Sequence, residues 1–332
     1  DWVTEFRPHQ WDAVQEIVRE FESGTDVVFL DAPTGSGKTL IAELVRRLLG
    51  YKALYVCSGK DLQAQFLQDF PYAHVLMGRS NYPTLDKPFP FVTCADCNKT
   101  GKGEDAECDW CNEPKRCPYQ QAKNSAMSSQ LAVVNTSYLL AEANWIGSFS
   151  EQDFVIADEC DMLEGELMNF VKFEVSDTML RSLNITPPKK GVHKTTIAKW
   201  IQDEFIPCLV EEHKYVERDG SLDKIEKIRR LNSLDRKLQE AKVVVDEIVD
   251  DNWVRDNDAG PLVLKPVKVN GYGRENLWRH GAKWLCMSAT IVSSDEMAAS
   301  LGITEPYEDE SPHSTVPLKY ATVKVPMTFP LH

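Results

Sequence analysis

Nine residues, Asp31-Ala32-Pro33-Thr34-Gly35-Ser36-Gly37-Lys38-Thr39, constrain the fold of this chain more than any other feature. They follow the apolar run Val27-Val28-Phe29-Leu30. After them Leu40, Ile41, Leu44, Val45, Leu48 and Leu49 recur at helical spacing until Gly50. Strand, glycine-rich loop and helix in that order are the setting a phosphate-binding loop requires. Gly35 and Gly37 let backbone N–H groups approach phosphate oxygens, and the helix N-terminus adds positive potential. Thr34 and Ser36 complete the cradle. Lys38 reaches the β and γ phosphates of ATP, and Thr39 can ligate Mg2+. Ala32 stands where such a loop usually has its first glycine. A chance glycine-rich turn would not bring the strand, the spacing, Lys-Thr and the helix together.

Other apolar runs of strand length lie at Ala53 to Cys57, Leu131 to Val134, Phe154 to Ala157 and Trp284 to Met287. Being apolar on both faces, they predict an α/β fold: a parallel sheet with helices on both sides. Phe154-Val155-Ile156-Ala157-Asp158-Glu159-Cys160-Asp161 is a strand that ends in acids. Such acids are more often a solvated turn. Alongside the loop, Asp158 is expected to hold Mg2+ and Glu159 to orient the water that attacks the γ-phosphate. The candidate catalytic residues are therefore Lys38, Asp158 and Glu159.

Two segments break this rhythm. Residues 81–125 are rich in Pro, Gly, Cys and charge. Five of the nine cysteines, Cys94, Cys97, Cys108, Cys111 and Cys117, fall there within 24 residues. Two CxxC pairs ten residues apart suit a tetrahedral Zn2+ site, four thiolates also hold an iron–sulfur cluster, and unliganded surface thiols are the bland alternative. Residues 166–275 carry their own helical signature: Leu231, Leu234, Leu238, Ala241, Val245 and Ile248 form a coiled-coil-like seam that predicts a helical hairpin or small bundle. The seam leucines are expected to be core.

The net charge of −14 excludes a protein that coats nucleic acid by bulk attraction, so any nucleic-acid contact must be a local groove. Lys60, Arg79, Lys115, Arg116, Lys123, Lys189, Lys190, Lys194, Arg229 and Arg230 are candidates, each more often a solvated charge. Tyr119 and Trp110 could stack on bases, although packing around a metal knuckle is commoner. No stretch approaches the roughly 18 apolar residues of a membrane span. With no secretory signal and clustered thiols, a reducing, cytoplasmic setting is expected, the nucleus remaining open.

The order of phosphate loop, Asp158-Glu159-Cys160-Asp161, then Ser288-Ala289-Thr290 resembles motifs I, II and III of superfamily 2 helicases. Further segments resemble the XPD/DinG branch of iron–sulfur helicases: Arg7-Pro8-His9-Gln10, Gly78-Arg79-Ser80-Asn81-Tyr82, Cys117-Pro118-Tyr119 and Asn135-Thr136-Ser137-Tyr138-Leu139-Leu140. Tyr55-Val56-Cys57-Ser58 through Gln65 is similar to motif Ia, which in the family touches the nucleic-acid backbone. The resemblance implies that Gln10 contacts adenine and that Ser288 and Thr290 relay nucleotide state. It also favours a [4Fe-4S] cluster over Zn2+, held by Cys108, Cys111 and Cys117 with Cys94 or Cys97. Two departures stand out. Thr84 occupies a position where the family commonly has a cysteine. Cys160 and Asp161 stand where Ala and His are typical, so Asp161 is expected to couple to motif III less in the manner of His.

The resemblance divides the chain into a RecA-like motor domain at 1–80, 126–165 and 276–310, a Cys-rich metal insertion at 81–125 and a helical arch at 166–275. Residues 311–332 would open a second, truncated motor domain, around Tyr320 to Val325. The implied activity is ATP-driven movement, 5′ to 3′, on single-stranded or forked DNA in preference to RNA, by a monomer with no membrane role. A fragment lacking the arginine of the second domain is expected to bind nucleotide weakly and unwind nothing. A DNA-binding module using ATP only as a switch is one rival, separated by Glu159→Gln, which would stop a motor and spare a switch. A nucleotide kinase is another, and leaves Ser288-Ala289-Thr290 unexplained.

Overall fold

The computed structural model describes residues 6–7, 9–87, 89–97, 99–100, 107–108, 116–149, 151–304 and 317–326. In chain order the first elements are α1 (Gln10–Glu22), β1 (Val27–Asp31), α2 (Lys38–Leu49), β2 (Ala53–Cys57), α3 (Lys60–Asp69) and β3 (His74–Val75). A short pair follows, β4 (Lys99–Thr100) and β5 (Glu107–Cys108), then α4 (Pro118–Ser128), β6 (Leu131–Asn135), α5 (Thr136–Trp145), β7 (Gln152–Asp158) and α6 (Leu163–Val171). Next come β8 (Phe173–Val175), α7 (Asp177–Ser182), α8 (Lys194–Trp200), α9 (Ile206–Arg218) and α10 (Lys224–Glu247). The last are β9 (Trp253–Arg255), β10 (Leu262–Pro266), α11 (Asn270–Asn276), β11 (Gly281–Ser288), α12 (Ser294–Ser300) and β12 (Tyr320–Lys324).

The chain divides into two compact units, residues 1–77, 121–170 and 269–332 against 78–120 and 171–268. The first is built on a seven-stranded sheet in the order β12-β1-β11-β7-β2-β6-β3, all neighbours parallel. It is the RecA-like α/β fold. The five apolar runs singled out in the sequence are five of its strands, and Val27 to Leu30 are wholly buried, as strands covered on both faces must be. On one face Val14, Ile17 and Phe21 of α1, Ile41 and Val45 of α2 and Phe66 of α3 close a core with Leu30, Tyr55, Phe154 and Leu285. Left-handed glycines bound α2, Gly37 at φ 83° and Gly50 at φ 70°, which is why the helix begins and stops where it does. Leu48, counted into its apolar stripe, is 54% exposed because it falls beside that stripe. β12, expected to open a second motor domain, instead lies along β1 from Val27↔Tyr320 to Asp31↔Lys324, with Val323 buried in the same core.

The second unit joins the cysteine segment to the long insertion. α8 runs through a π-turn at Ile201–Phe205 into α9, whose Pro207 has no N–H to offer the preceding turn. α10 packs along α9 and buries Ile228, Leu234, Ala241 and Val244. Of the predicted seam Leu234, Ala241 and Ile248 are buried, Val244 takes the place of Val245, and Leu231 and Leu238, expected to be core, are only half-buried. A three-stranded antiparallel sheet, β8-β10-β9, completes the unit, so the insertion expected to be mainly helical also carries strands. Its outer strands are only three residues long, too short for a period-two pattern to register.

Candidate nucleotide site

Parallel strands deliver their C-terminal ends to one edge of the sheet, and the acids and hydroxyls of the first unit collect there. The loop after β1 turns through Gly35 and Gly37, both left-handed at φ 81° and 83°. Lys38 Nζ donates to the Ala32 carbonyl at 3.3 Å. Gln10 is 3% exposed and lies against this loop. Its Nε2 donates to the Ser36 carbonyl at 2.7 Å, and its Oε1 accepts from the Arg7 N–H at 2.9 Å. The Arg7 guanidinium donates to the Gly35 carbonyl. A Cβ on Gly37 would meet Gln10 Nε2 at 2.3 Å. The residue expected to contact adenine therefore braces the loop through its Nε2 and holds Arg7, which also reaches the loop, through its Oε1.

β7 carries Asp158 to the same edge. Tyr55 Oη, from the neighbouring β2, donates to Asp158 Oδ2 at 2.5 Å, and Asp158 Oδ1 accepts from the Glu159 N–H at 3.0 Å. Burial pushes the Asp158 carboxyl above the usual aspartate range, opposed by the Tyr55 hydrogen bond and the charge of Lys38. Burial likewise raises the Tyr55 hydroxyl, with the Asp158 charge adding to it, so Tyr55 keeps its proton and remains a donor. Glu159 sits at φ 52° and ψ 49°, a left-handed conformation that costs a non-glycine residue about 1–2 kcal/mol. Ser58 Oγ donates to its Oε2 at 2.6 Å.

Asp161 is the hub between the second and third motifs. Its Oδ1 accepts from Ser288 Oγ at 2.6 Å and its Oδ2 from Thr290 Oγ1 at 2.7 Å. Burial raises the Asp161 carboxyl, but those two donors outweigh it and leave it below the usual range. One carboxylate thus engages both hydroxyls of the third motif.

These groups line one cleft of ≈ 780 Å³, which includes Thr34, Gly35, Gly37, Lys38, Thr39, Asp158, Glu159, Asp161, Ser288 and Thr290. Gln10 and Ser36 lie outside its lining. Leu62 and Gln65 of α3, in the segment read as similar to motif Ia, are inside it, as are Asp69 and Met162, which the sequence did not single out. Tyr55 and Ser58 stand out in the sequence only as part of a segment similar to motif Ia; their bonds to Asp158 and Glu159 were not foreseen, since nothing local points to those partners.

In the second unit Cys94 Sγ and Cys117 Sγ are 3.7 Å apart, and Cys97 is buried beside them in sequence. The β4–β5 pairing sets Lys99 opposite Cys108. The side chain of Cys108, and all of Cys111, Trp110 and Lys115, lie outside the described residues. Among the described residues no group of three or more metal-ligating side chains converges. Tyr119 is buried and packs edge-on to Tyr82, the commoner of its two readings.

Several cations proposed as strand contacts have protein partners instead. Within the first unit Lys123 forms a buried pair with Glu142. In the second, Arg229 pairs with Asp96 at 2.6 Å, Arg230 with Glu226 at 2.7 Å and Lys194 with Asp251 at 3.2 Å. Lys190 donates to the Asn257 carbonyl, and Arg79 to that of Cys97 at 2.8 Å. Lys60 and Lys189 are solvent-exposed.

Residues 4–169 match the protein family described as type III restriction enzyme, res subunit. That is half of the chain, and the chain belongs to this family as a helicase-type ATPase domain. Its fold is that of the XPD helicases. One solved structure, described as XPD_Helicase, aligns with a TM-score of 0.58 at 15% identity, covering 97% of this chain and 63% of its own. Another, described as the structure of S. tokodaii Xpd4, aligns with a TM-score of 0.50 at 14% identity, covering 97% and 61%. The chain thus spans less than two thirds of the length of either. No curated protein matches the sequence.

Proposed function

We propose that this chain is the ATP-binding half of a motor that moves on single-stranded or forked DNA in the 5′ to 3′ direction. The observation that carries this reading is the convergence of Lys38, Thr39, Asp158, Glu159 and the Asp161–Ser288–Thr290 hub on one cleft at the C-terminal edge of the sheet. A kinase or simple switch leaves Ser288-Ala289-Thr290 and their bonds to Asp161 unexplained.

The left-handed glycines open the loop so that its N–H groups face the cleft, and Lys38 supplies the charge for the outer phosphates. Thr39 and Asp158 are oxygen donors of the kind Mg2+ takes, and they would hold it. A bound Mg2+ neutralises phosphate charge as the leaving oxygen develops it. Tyr55 fixes the direction of the Asp158 carboxylate, Glu159 orients the attacking water, and Asp161 ties that turn to Ser288 and Thr290. The arginine that completes such a site would come from a second motor domain.

For the cysteines we propose one structural metal site drawn from Cys94, Cys97, Cys108, Cys111 and Cys117. The likeness to XPD helicases supports a [4Fe-4S] cluster. Zn2+ held by four thiolates is the alternative, and Cys94 and Cys117, with sulfurs 3.7 Å apart, would serve either group. Iron with broad absorbance near roughly 400 nm identifies a cluster, and one colourless zinc identifies the tetrahedral site. The thiol-rich segment also supports a reducing, cytoplasmic location.

The test of the motor is hydrolysis of Mg-ATP by the full protein with and without single-stranded DNA. Stimulation by the strand, loss of turnover in Lys38→Ala and Glu159→Gln, and directional unwinding of a forked duplex are expected. Turnover indifferent to any strand would overturn the reading.

A further inference from the structure

The turn that presents Glu159 is held from two sides, and only one belongs to its own strand. From β7, Asp158 accepts the Glu159 N–H at 3.0 Å and fixes the backbone. The carboxylate itself is met by Ser58, whose hydroxyl donates to Oε2 at 2.6 Å. Ser58 is the first residue after β2 and stands with Gly59 between that strand and α3. The parallel register explains the meeting: Tyr55↔Ile156 and Val56↔Ala157 bring the end of β2 level with the end of β7. The same strand thereby sends Tyr55 to Asp158 and, three residues on, Ser58 to Glu159. Glu159 is exposed and left-handed, so its side chain has neither packing nor a regular backbone to aim it. The Ser58 hydroxyl is the contact that does so.

We infer that Ser58 is a positioning residue for Glu159 and makes ATP hydrolysis depend on the state of the Ser58 to Gln65 segment. This rests on the proposed role of Glu159 in orienting water. Gln65 and Leu62 line the same cleft, and exposed Lys60 stands between them and Ser58, two residues from the latter. A strand phosphate drawn to Lys60 moves Ser58, and with it the carboxylate.

The experiment measures kcat and KM for ATP in the full protein, with and without single-stranded DNA, for wild type, Ser58→Ala, Ser58→Thr and Tyr55→Phe. Ser58→Ala is expected to cut the ratio of stimulated to unstimulated kcat at least fivefold, with KM for ATP within twofold of wild type. Ser58→Thr, which keeps the hydroxyl, is expected to restore that ratio. Tyr55→Phe is expected to raise the Mg2+ requirement and leave the ratio alone. An unchanged ratio in Ser58→Ala, or an equal fall in both rates, overturns the inference while leaving the motor reading standing. A wild type that no strand stimulates overturns both.

Discussion

Asp161 accepts hydrogen bonds from Ser288 and Thr290 through its two oxygens, so the charge that holds the third motif in place is borne by a single side chain. Hydrogen bonds to a charged group are each worth about 1.5–3 kcal/mol. Asp161→Ala should therefore lower kcat by roughly tenfold to a hundredfold, while the KM for ATP, set by the loop, stays within twofold. Steady-state hydrolysis with saturating DNA measures both. Glu43 of α2 makes a purely structural counterpart. It is 3% exposed and accepts from Arg46 at 2.6 and 2.8 Å, from Arg47 at 2.6 Å and from Tyr72 at 2.7 Å. Burial raises its carboxyl, yet those donors hold it below the ordinary 4.5. A carboxyl depressed in the folded state stabilises above its unfolded value, and that stability is lost as pH falls through the lower folded value. Glu43→Gln leaves Arg46, 8% exposed, without its counter-charge, and should cost about 3–5 kcal/mol at neutral pH. The variant should also lose less further stability than wild type in urea titrations between pH 5 and about 3. The phosphate loop was legible in the sequence because its chemistry is local. Tyr55, Ser58 and the reach of Asp161 were not, because they act across partners roughly a hundred residues away that only strand register brings together.

Between β1 and α2 the loop and the first helix are one mechanical element. Gly37 is needed twice over: its φ of 83° suits no side chain, and Gln10 Nε2 fills the space a Cβ would take. Gly37→Ala should weaken Mg-ATP binding at least tenfold, measured by calorimetry, with the sheet intact by circular dichroism. Gln10→Ala alone loosens the loop by removing the bond to Ser36. The double variant should be less impaired than the two effects added, because the clash and the brace involve the same atoms. An adenine contact alone would make the two independent. Element existence was readable from periodicity at β1, β2, β6, β7 and β11. Position within an element was less so. On α10 the seam was placed at Val245, whereas Val244 is the buried residue at 3% exposure. A heptad count drifts against the true helical repeat over 24 residues. β12 was read as opening a second motor domain because the resemblance places that domain after the third motif. Its pairing with β1 is a long-range fact with no local signature.

At the scale of the whole molecule, each unit is assembled from separate stretches of chain, and each has to be closed by contacts between stretches. In the second unit the join is visible. Thr93 and Asp96 form a capping box around Cys94, and Arg229 of α10 grips that same Asp96 through Nε at 2.6 Å and Nη2 at 3.0 Å while also donating to the Phe91 carbonyl. Ile228, one residue away, packs with Val92 and Cys97. The long helix thus holds the cysteine segment where Cys94 and Cys117 meet. Two consequences separate this join from the nucleotide site. Arg229→Ala should destabilise the second unit by only about 1 kcal/mol, since the guanidinium is half exposed and Asp96 keeps its Thr93 donors. It should nevertheless weaken metal retention, because a segment with little apolar content relies on that grip to present its thiols together. Stripping the proposed metal with a chelator, or replacing Cys94 by Ser, should raise amide exchange within residues 78–120 and 224–247. The affinity for Mg-ATP should stay within twofold, because every residue lining that cleft belongs to the first unit. Exchange protection that fell equally in both units would mean that the metal supports the whole chain and that the division into two units has no energetic counterpart.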